Sequence, residues 1–282
     1  MIAVVVPSNR PERLESFLSH WKDQFERYNV SIYIVRDGEK PTVNGLTVEE
    51  VMGEYSDLIY NFNDGVRNLG FAQAYKDGAD IILSLDDDTR PCGDTIGDHL
   101  KALDQKVCIT WMNTANEVYM RGFPYGIREE SEVMLSHGVW EGVADFDAST
   151  QLVLGSPKLT YKQGVVPKGI YYPMCVMNIC FKRKLMPYIY QAPAYDRYQR
   201  FSDIWSGIMS KRAIDENNWA VVTGYAKVIH DRASNPFVNL VKEAVGVGAN
   251  EGFWKGDITG HEEYFKNYEE KRQRWQEFIN QI

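Results

Sequence analysis

Apolar and polar positions change period several times along the chain. Ile2–Val6 is an unbroken apolar run closed by Pro7, the pattern of a parallel strand buried on both faces. Pro11 then opens a segment in which Leu14, Phe17, Leu18, Trp21 and Phe25 recur at helical spacing. Val30–Val35 predicts a second strand, stopped by the turn pair Asp37-Gly38. Thr47-Val-Glu-Glu50 has the form of a capping box and predicts a short helix. Leu58–Tyr60 is a candidate third strand and Asn68–Gly78 a helix. Ile81–Leu85 predicts a strand that runs straight into Asp86, Asp87 and Asp88. Strands alternating with helices over residues 1–110 predict an α/β fold with a parallel sheet and right-handed crossovers.

From Met112 to Pro173 the periodicity fades into Gly-, Pro- and aromatic-rich sequence, and a long irregular stretch inside a compact domain is usually functional. Order returns with a strand near Met174–Phe181, helices near Lys182–Tyr190 and Asp203–Ile214, and a strand at Ala220–Thr223. A C-terminal helix from about Glu262 carries Tyr264, Tyr268, Trp275 and Ile279 roughly on one face, which is a packing stripe. No internal repeat or inter-domain linker interrupts the chain.

Composition narrows the class. With 44% hydrophobic and 25% charged residues in 282, the chain is globular rather than disordered or fibrous. A net charge of −8 argues against nucleic acid as a partner. No apolar run approaches the roughly 20 residues of a membrane span, and the first residues lack a basic leader, so neither a span nor a signal peptide is expected. Cys92, Cys108, Cys175 and Cys180 form no CxxC pair and read as reduced thiols of a cytoplasmic protein.

The acidic triplet is the first chemical signal. In open α/β sheets ligands bind beyond the carboxyl ends of strands, where this triplet falls. Three adjacent carboxylates repel one another, and a hard divalent cation with oxygen ligands relieves that repulsion. Alternation along an extended segment turns Asp86 and Asp88 to one side and Asp87 to the other. Asp86 and Asp88 are therefore candidate ligands for Mn²⁺ or Mg²⁺, which would neutralise a diphosphate leaving group. A solvated acidic turn is the plainer alternative.

The order of a first strand ending in Pro7-Ser-Asn-Arg10, a second ending before Asp37, Asn68-Leu-Gly70 ahead of a helix, and strand-Asp-Asp-Asp resembles the nucleotide-sugar half of GT-A glycosyltransferases. That resemblance implies a Rossmann-type, mostly parallel central sheet flanked by helices, in a single domain with an elaborated C-terminal half. It implies UDP binding by the early strand ends, with Pro7, Asn9, Arg10, Asp37 and Asn68 as candidate contacts, and a late histidine, His230, as a third metal ligand.

The second half is more specific. Arg121-Gly-Phe-Pro-Tyr-Gly-Ile-Arg128, Ser136-His-Gly-Val-Trp140, Asp145-Phe-Asp-Ala-Ser-Thr-Gln151, Pro173-Met-Cys-Val-Met-Asn178 and Ala233-Ser-Asn-Pro-Phe-Val-Asn-Leu240 resemble the reversibly glycosylated polypeptides, the UDP-arabinopyranose mutases best known from plants. The resemblance implies metal-dependent interconversion of UDP-arabinopyranose and UDP-arabinofuranose without flavin, and reversible glycosylation of an arginine matching Arg121. It implies an essential, unglycosylated arginine matching Arg128, and assembly as homo- or hetero-oligomers. It divides the chain into a nucleotide-binding half (1–110), a sugar and catalytic half (111–258) and a C-terminal helix (259–282). Two departures stand out: Ser202-Asp203 replaces a pair of acids, so only Asp203 carries over, and Val176 replaces a usual glycine.

Ring contraction of a UDP-pentose requires a cation on the leaving diphosphate, stabilisation of an oxocarbenium-like centre, and retention of the sugar while UDP waits. Arg128 offers a bidentate grip on an oxyanion. Guanidinium is a poor nucleophile, so an adduct at Arg121 needs a carboxylate to take a proton; Asp145, Asp147 and Asp203 are the candidates. His137, Trp140 and Asn178 are candidate sugar contacts. The competing activity is a retaining glycosyltransferase that passes arabinose or another sugar to an external acceptor.

Overall fold

In the computed structural model the chain runs β1 (Ile2–Ser8), α1 (Pro11–Arg27), β2 (Ser31–Arg36), β3 (Thr42–Val43), β4 (Leu46–Thr47), α2 (Val48–Met52), α3 (Arg67–Lys76) and β5 (Ile81–Leu85). Next come β6 (Thr89–Pro91), α4 (Thr95–Leu103) and β7 (Lys106–Val107). The second half adds β8 (Ser131–Gly142), α5 (Ala148–Leu154), β9 (Gly164–Val166), β10 (Asn178–Lys182), α6 (Ser202–Glu216) and β11 (Ala220–His230). Three helices close the chain: α7 (Pro236–Ala244), α8 (Val247–Lys255) and α9 (Glu262–Gln281). The structure describes residues 1–110, 118–128, 130–155, 157–193, 195, 198, 200–231 and 235–282. Met112, where the irregular stretch begins, and Ala233-Ser234 of the last family string lie outside these residues.

The strands form one sheet in the order β4-β3-β2-β1-β5-β10-β8-β11-β6, with β7 added beside β8 and β9 beside β11. Its long ladders are parallel: β1 with β2 and β5, and β8 with β11. β10 joins these two parallel blocks by antiparallel pairing with β5 and β8. Leaving β1, the chain crosses to β2 on one side and later returns to β5 on the other. The crevice beyond the carboxyl ends of β1 and β5 is therefore a topological switch point, where doubly wound sheets bind ligands.

Both faces of β1 are covered, which is why its apolar run does not alternate. Val4 and Val6 pack with Phe17, Trp21 and Phe25 of α1 and Ile96 and Leu103 of α4. Ala3 and Val5 face Leu69 and Phe71 of α3, in a cluster that also takes Tyr268, Trp275, Phe278 and Ile279 of α9. The C-terminal stripe is thus part of the main core. Burying side chains of this size contributes about 1.5–3 kcal/mol each. A third cluster, with Trp205, Phe253 and Tyr264, ties α6 and α8 to α9. The capping box holds: Glu50 N–H donates to Thr47 Oγ1, and Thr47 N–H to the Glu50 carboxylate. No helix among the described residues is long and apolar enough to cross a membrane.

Several expected elements differ. Leu58–Tyr60 is not a strand; a 3₁₀ turn spans Gly53–Leu58, and Leu58 buries while its carbonyl accepts from the Tyr190 hydroxyl. The helix expected over Lys182–Tyr190 is a 3₁₀ turn, Arg183–Tyr188, containing Pro187, which has no N–H to donate. α3 begins at Arg67 rather than Asn68. The irregular middle conceals β8, whose buried run Val133–Val139 includes Ser136, His137 and Gly138. Polar residues buried in mid-strand break the apolar signature on which strand recognition rests.

Candidate active site at the strand ends

The site begins where β5 ends. Thr89 N–H and Oγ1 both donate to Asp86 O, at 3.2 and 2.7 Å, closing a turn that reverses the chain into β6. β6 pairs with the end of β11, placing Thr89 opposite His230, and Asp231 N–H donates to Asp88 O at 3.0 Å. This pairing sets the Asp88 carboxylate beside the His230 ring, with His230 Nε2 3.6 Å from Asp88 Oδ1. His230 Nδ1 lies 2.7 Å from Val143 O; a carbonyl only accepts, so Nδ1 donates there and Nε2 is the ring nitrogen turned toward Asp88. Gly142 permits this: its φ is +84°, and a Cβ there would lie 2.9 Å from His230 O.

The triplet splits three ways. Asp87, with a side chain 2% exposed, accepts from Ser8 Oγ at 2.5 Å and from Arg10 Nε at 3.2 Å, and also pairs with Arg10 Nη2. Asp86 pairs with Arg67 Nη2. Asp88 faces His230, with Arg10 and Arg13 each 3.6 Å from its Oδ2. Its Oδ1 is buried without a hydrogen-bond partner. Burial and the nearby charge of Asp86 push Asp88 above the ordinary carboxylate range. The two expected metal ligands, Asp86 and Asp88, thus have different partners in this arrangement. Among the described residues no three His, Cys, Asp or Glu converge as metal ligands; Asp88 and His230 converge, and Asp86 is held by Arg67.

Arg67 was not anticipated. It is 2% exposed, its Nη1 donates to Ser84 Oγ at 3.0 Å and to Leu85 O at 3.2 Å, and its Nη2 lies 3.6 Å from Asp64 Oδ1. Burial opposes its charge, but Asp86 and Asp64 more than offset that and raise its pKa. An arginine beside Asn68-Leu-Gly70 gives no sequence signal of burial. Only the carboxylates three residues before it and after the next strand reveal its place.

Around Arg67 a second acidic group assembles from distant segments. Burial first, then the charges of Asp64 and Asp145, push Asp203 well above the usual carboxylate range, with Arg200 opposing. Asp64 is raised by burial and by Asp86 and Asp145. Burial and the charges of Asp145, Asp203 and Asp86 raise the Cys175 thiol well above its usual value, so it stays protonated and inert. Arg200 is braced by Glu243, 3.3 Å away, whose other oxygen accepts from Ala148 N–H at 2.7 Å. Asp64, Arg200 and Glu243 carried no recognisable motif.

Other expected residues fall elsewhere. Pro7 lies in the β1 ladder opposite Val35, and Asn9 is exposed just beyond its last residue, Ser8. Asp37 N–H donates to Ser8 O, and its carboxylate accepts from Phe62 N–H at 2.8 Å. Asn68 is fully buried, with both amide atoms bonded to the Gln191 backbone, and Asn178, 1% exposed, bonds His99 and Val139 O. The side chains of both are engaged by these partners. His137 is buried against Thr223 Oγ1 (3.1 Å) and Tyr172 Oη (3.0 Å). Trp140 packs edge-on to His137 and is half-buried, with Nε1 unpartnered. Asp147 caps α5, accepting from Thr150 N–H at 2.8 Å, so its carboxylate is engaged. Arg121 is exposed at position two of a turn in which Phe123 N–H donates to Met120 O, with Gly122 at φ +95°. Arg128 stacks over Tyr119 and Tyr125, 4.6 and 4.0 Å from the ring centres, and donates to Phe123 O at 3.3 Å. It shapes the turn that carries Arg121.

Comparison with known proteins gives the family. The model of the reversibly glycosylated polypeptides matches residues 1–255. The chain belongs to that family. UDP-arabinopyranose mutase 3 of Arabidopsis thaliana is 33% identical over 285 residues, which cover 89% of this chain and 75% of that protein. UDP-arabinopyranose mutase 1 of Oryza sativa subsp. japonica is 33% identical over 288 residues, covering 90% and 75%. Glucosyl-3-phosphoglycerate synthase of Mycobacterium tuberculosis, solved with Mn²⁺, UDP and phosphoglyceric acid, is 12% identical with a TM-score of 0.47, covering 87% of this chain and 75% of that one.

Proposed function

We propose that this protein interconverts UDP-arabinopyranose and UDP-arabinofuranose at the ends of β1, β5 and β11, with reversible glycosylation of Arg121. The observation that carries the reading is the convergence of Asp88 Oδ1, buried without a hydrogen-bond partner, and His230 Nε2, 3.6 Å apart at the switch point. Two ligands about 2.1 Å from one cation lie roughly 3 Å apart, so the pair fits Mn²⁺ or Mg²⁺ with little adjustment. Such an ion supplies positive charge against the diphosphate. Arg10 and Arg13, already turned to Asp88, add donors for the same phosphates.

The sugar's side of the site is the Asp64, Asp145 and Asp203 group. Burial and neighbouring charge hold Asp64 and Asp203 above the ordinary carboxylate range, which favours a proton donor there. Transfer to Arg121 breaks the anomeric C–O bond, leaves its electron pair on UDP, and forms an N–C bond. The guanidinium gives up one proton, which an ionised carboxylate of this group accepts. On return the same proton goes back to nitrogen as UDP reattaches. Opening and reclosing of the ring moves a proton between sugar hydroxyls, which the same group relays. Four free cysteines fit a reducing, cytoplasmic setting.

The test is incubation of the full chain with Mn²⁺ and UDP-arabinofuranose, without acceptor, followed by chromatography. The pyranose isomer is the expected product. Slow release of UDP with no isomer would replace the mutase with transfer to an external acceptor.

A further inference from the structure

One bulky side chain sits in a conformation that its residue type avoids. Phe62 has φ +57°, in the left-handed region, where a Cβ crowds the carbonyl and an aromatic residue is an outlier. Its ring is 61% exposed, so apolar burial does not repay the strain. Such outliers persist where surrounding contacts over-determine them, and they gather at ligand sites. Here the contacts are specific. Phe62 N–H donates to Asp37 Oδ1 at 2.8 Å, and Asn61 Nδ2 donates to Gly38 O at 3.1 Å. Asp37 is in turn tied to the end of β1 through its own N–H and Ser8 O at 3.1 Å.

The same loop continues through Asn63, whose Oδ1 accepts from Gly65 N–H at 2.8 Å, to Arg67, which holds Asp86. It therefore reaches from the end of β2 to the end of β5, across the switch crevice. One end grips the acidic tip where a diphosphate would sit, and the other holds a bare aromatic face beside the end of β2. A nucleoside diphosphate likewise carries a flat base at the end opposite its phosphates.

The geometry points to Phe62 as the stacking platform for the pyrimidine base of the nucleoside diphosphate. This rests on the UDP-sugar reading above and assigns the base to a residue that carries no motif. A pyrimidine has a π-face but no charge, so an exposed ring held still is the appropriate partner. Asp37 thereby acts through Phe62, fixing the loop rather than touching the ligand through Oδ1.

The experiment is calorimetric titration of the full chain with UDP and, separately, with pyrophosphate, each with Mn²⁺. Phe62→Gly is expected to weaken UDP binding by at least about fivefold, the range for loss of one base stack. Pyrophosphate affinity should stay within twofold, and Phe62→Trp should keep UDP affinity. Glycine adopts this φ without strain, so Tm of Phe62→Gly should equal or exceed that of the parent. A merely structural residue would give the reverse, a lower Tm with affinity intact, and that result would overturn the assignment. So would an equal loss of UDP and pyrophosphate binding. Should the parent bind UDP but fail to isomerise UDP-arabinofuranose, the mutase reading would fall while the titration still decides on Phe62.

Discussion

Two polar regions meet the long strand β8, and they are finished differently. At its middle, under α4, His99 bonds Ser136 Oγ and Asn178 Oδ1, both at 2.9 Å, while His137 bonds Thr223 and Tyr172. At its end, past Gly142, Asp88 Oδ1 has no partner, and across the crevice Arg67 Nε, Arg200 Nε and Ser202 Oγ have none either. Burial lowers His99 to about 4 and His137 to about 3, so both are neutral and closed to proton traffic at pH 7. At the strand ends burial acts on carboxylates instead and raises Asp88, Asp64 and Asp203 above their ordinary range. A buried polar group without a partner costs about 1–3 kcal/mol. The first region has removed that cost and the strand-end region retains it.

The sharpest way to break the comparison is Asp203→Asn. Turnover should fall by about 10²–10⁴, the usual contribution of a positioned acid or base. Stability should move in the opposite direction. A carboxylate whose folded pKa is raised contributes most below its unfolded value near 4 and loses that contribution as pH rises through the folded pKa. At pH 7 the neutral amide is free of that loss, so urea denaturation should show the variant to be the more stable. A variant that is both inactive and less stable would move Asp203 into the framework.

Asn178→Ala is the converse. It leaves His99 Nε2 buried without its partner and should cost about 1–3 kcal/mol of unfolding free energy. UDP affinity in the presence of Mn²⁺ should remain within about twofold. A selective loss of affinity at unchanged stability would return Asn178 to the site.

The smallest effect is one of pH. Because His99 and His137 stay neutral when folded, the unfolded chain binds more protons below about pH 6.5, and stability falls from there toward pH 4. His99→Gln should flatten that slope without changing stability much at pH 8. Identical slopes in parent and variant would remove the histidine from the acid sensitivity.

The same contrast explains what was legible in the sequence. Strands that bury apolar runs were read almost to the residue: Ile81–Leu85 is β5, and the Asp triplet stands at its tip as expected. The helix over Pro11–Arg27 and the stripe of α9 were equally plain. β8 was missed because its buried centre is Ser-His-Gly, whose polar atoms are paid for by partners far along the chain, His99 and Asn178 among them. The hydrogen bonds of His137 and Asn178 to Thr223, Tyr172 and His99 are equally invisible in the strings that contain them. Arg67, Asp64 and Arg200 were invisible because an ion-pair network is a property of three-dimensional proximity, and their neighbours in sequence say nothing of it. The triplet's division between Arg67, Arg10 and His230 follows from the turn at Thr89, which strand alternation does not describe.

Calorimetry of UDP with and without Mn²⁺, on the parent and on Asp88→Asn, decides whether Asp88 and His230 hold a cation that binds UDP at the switch point. Mn²⁺-dependent UDP binding is expected in the parent, with a loss of roughly 100-fold or more in the variant and no loss of Tm. Equal Mn²⁺-dependent affinity in the two proteins would remove the cation from this pair.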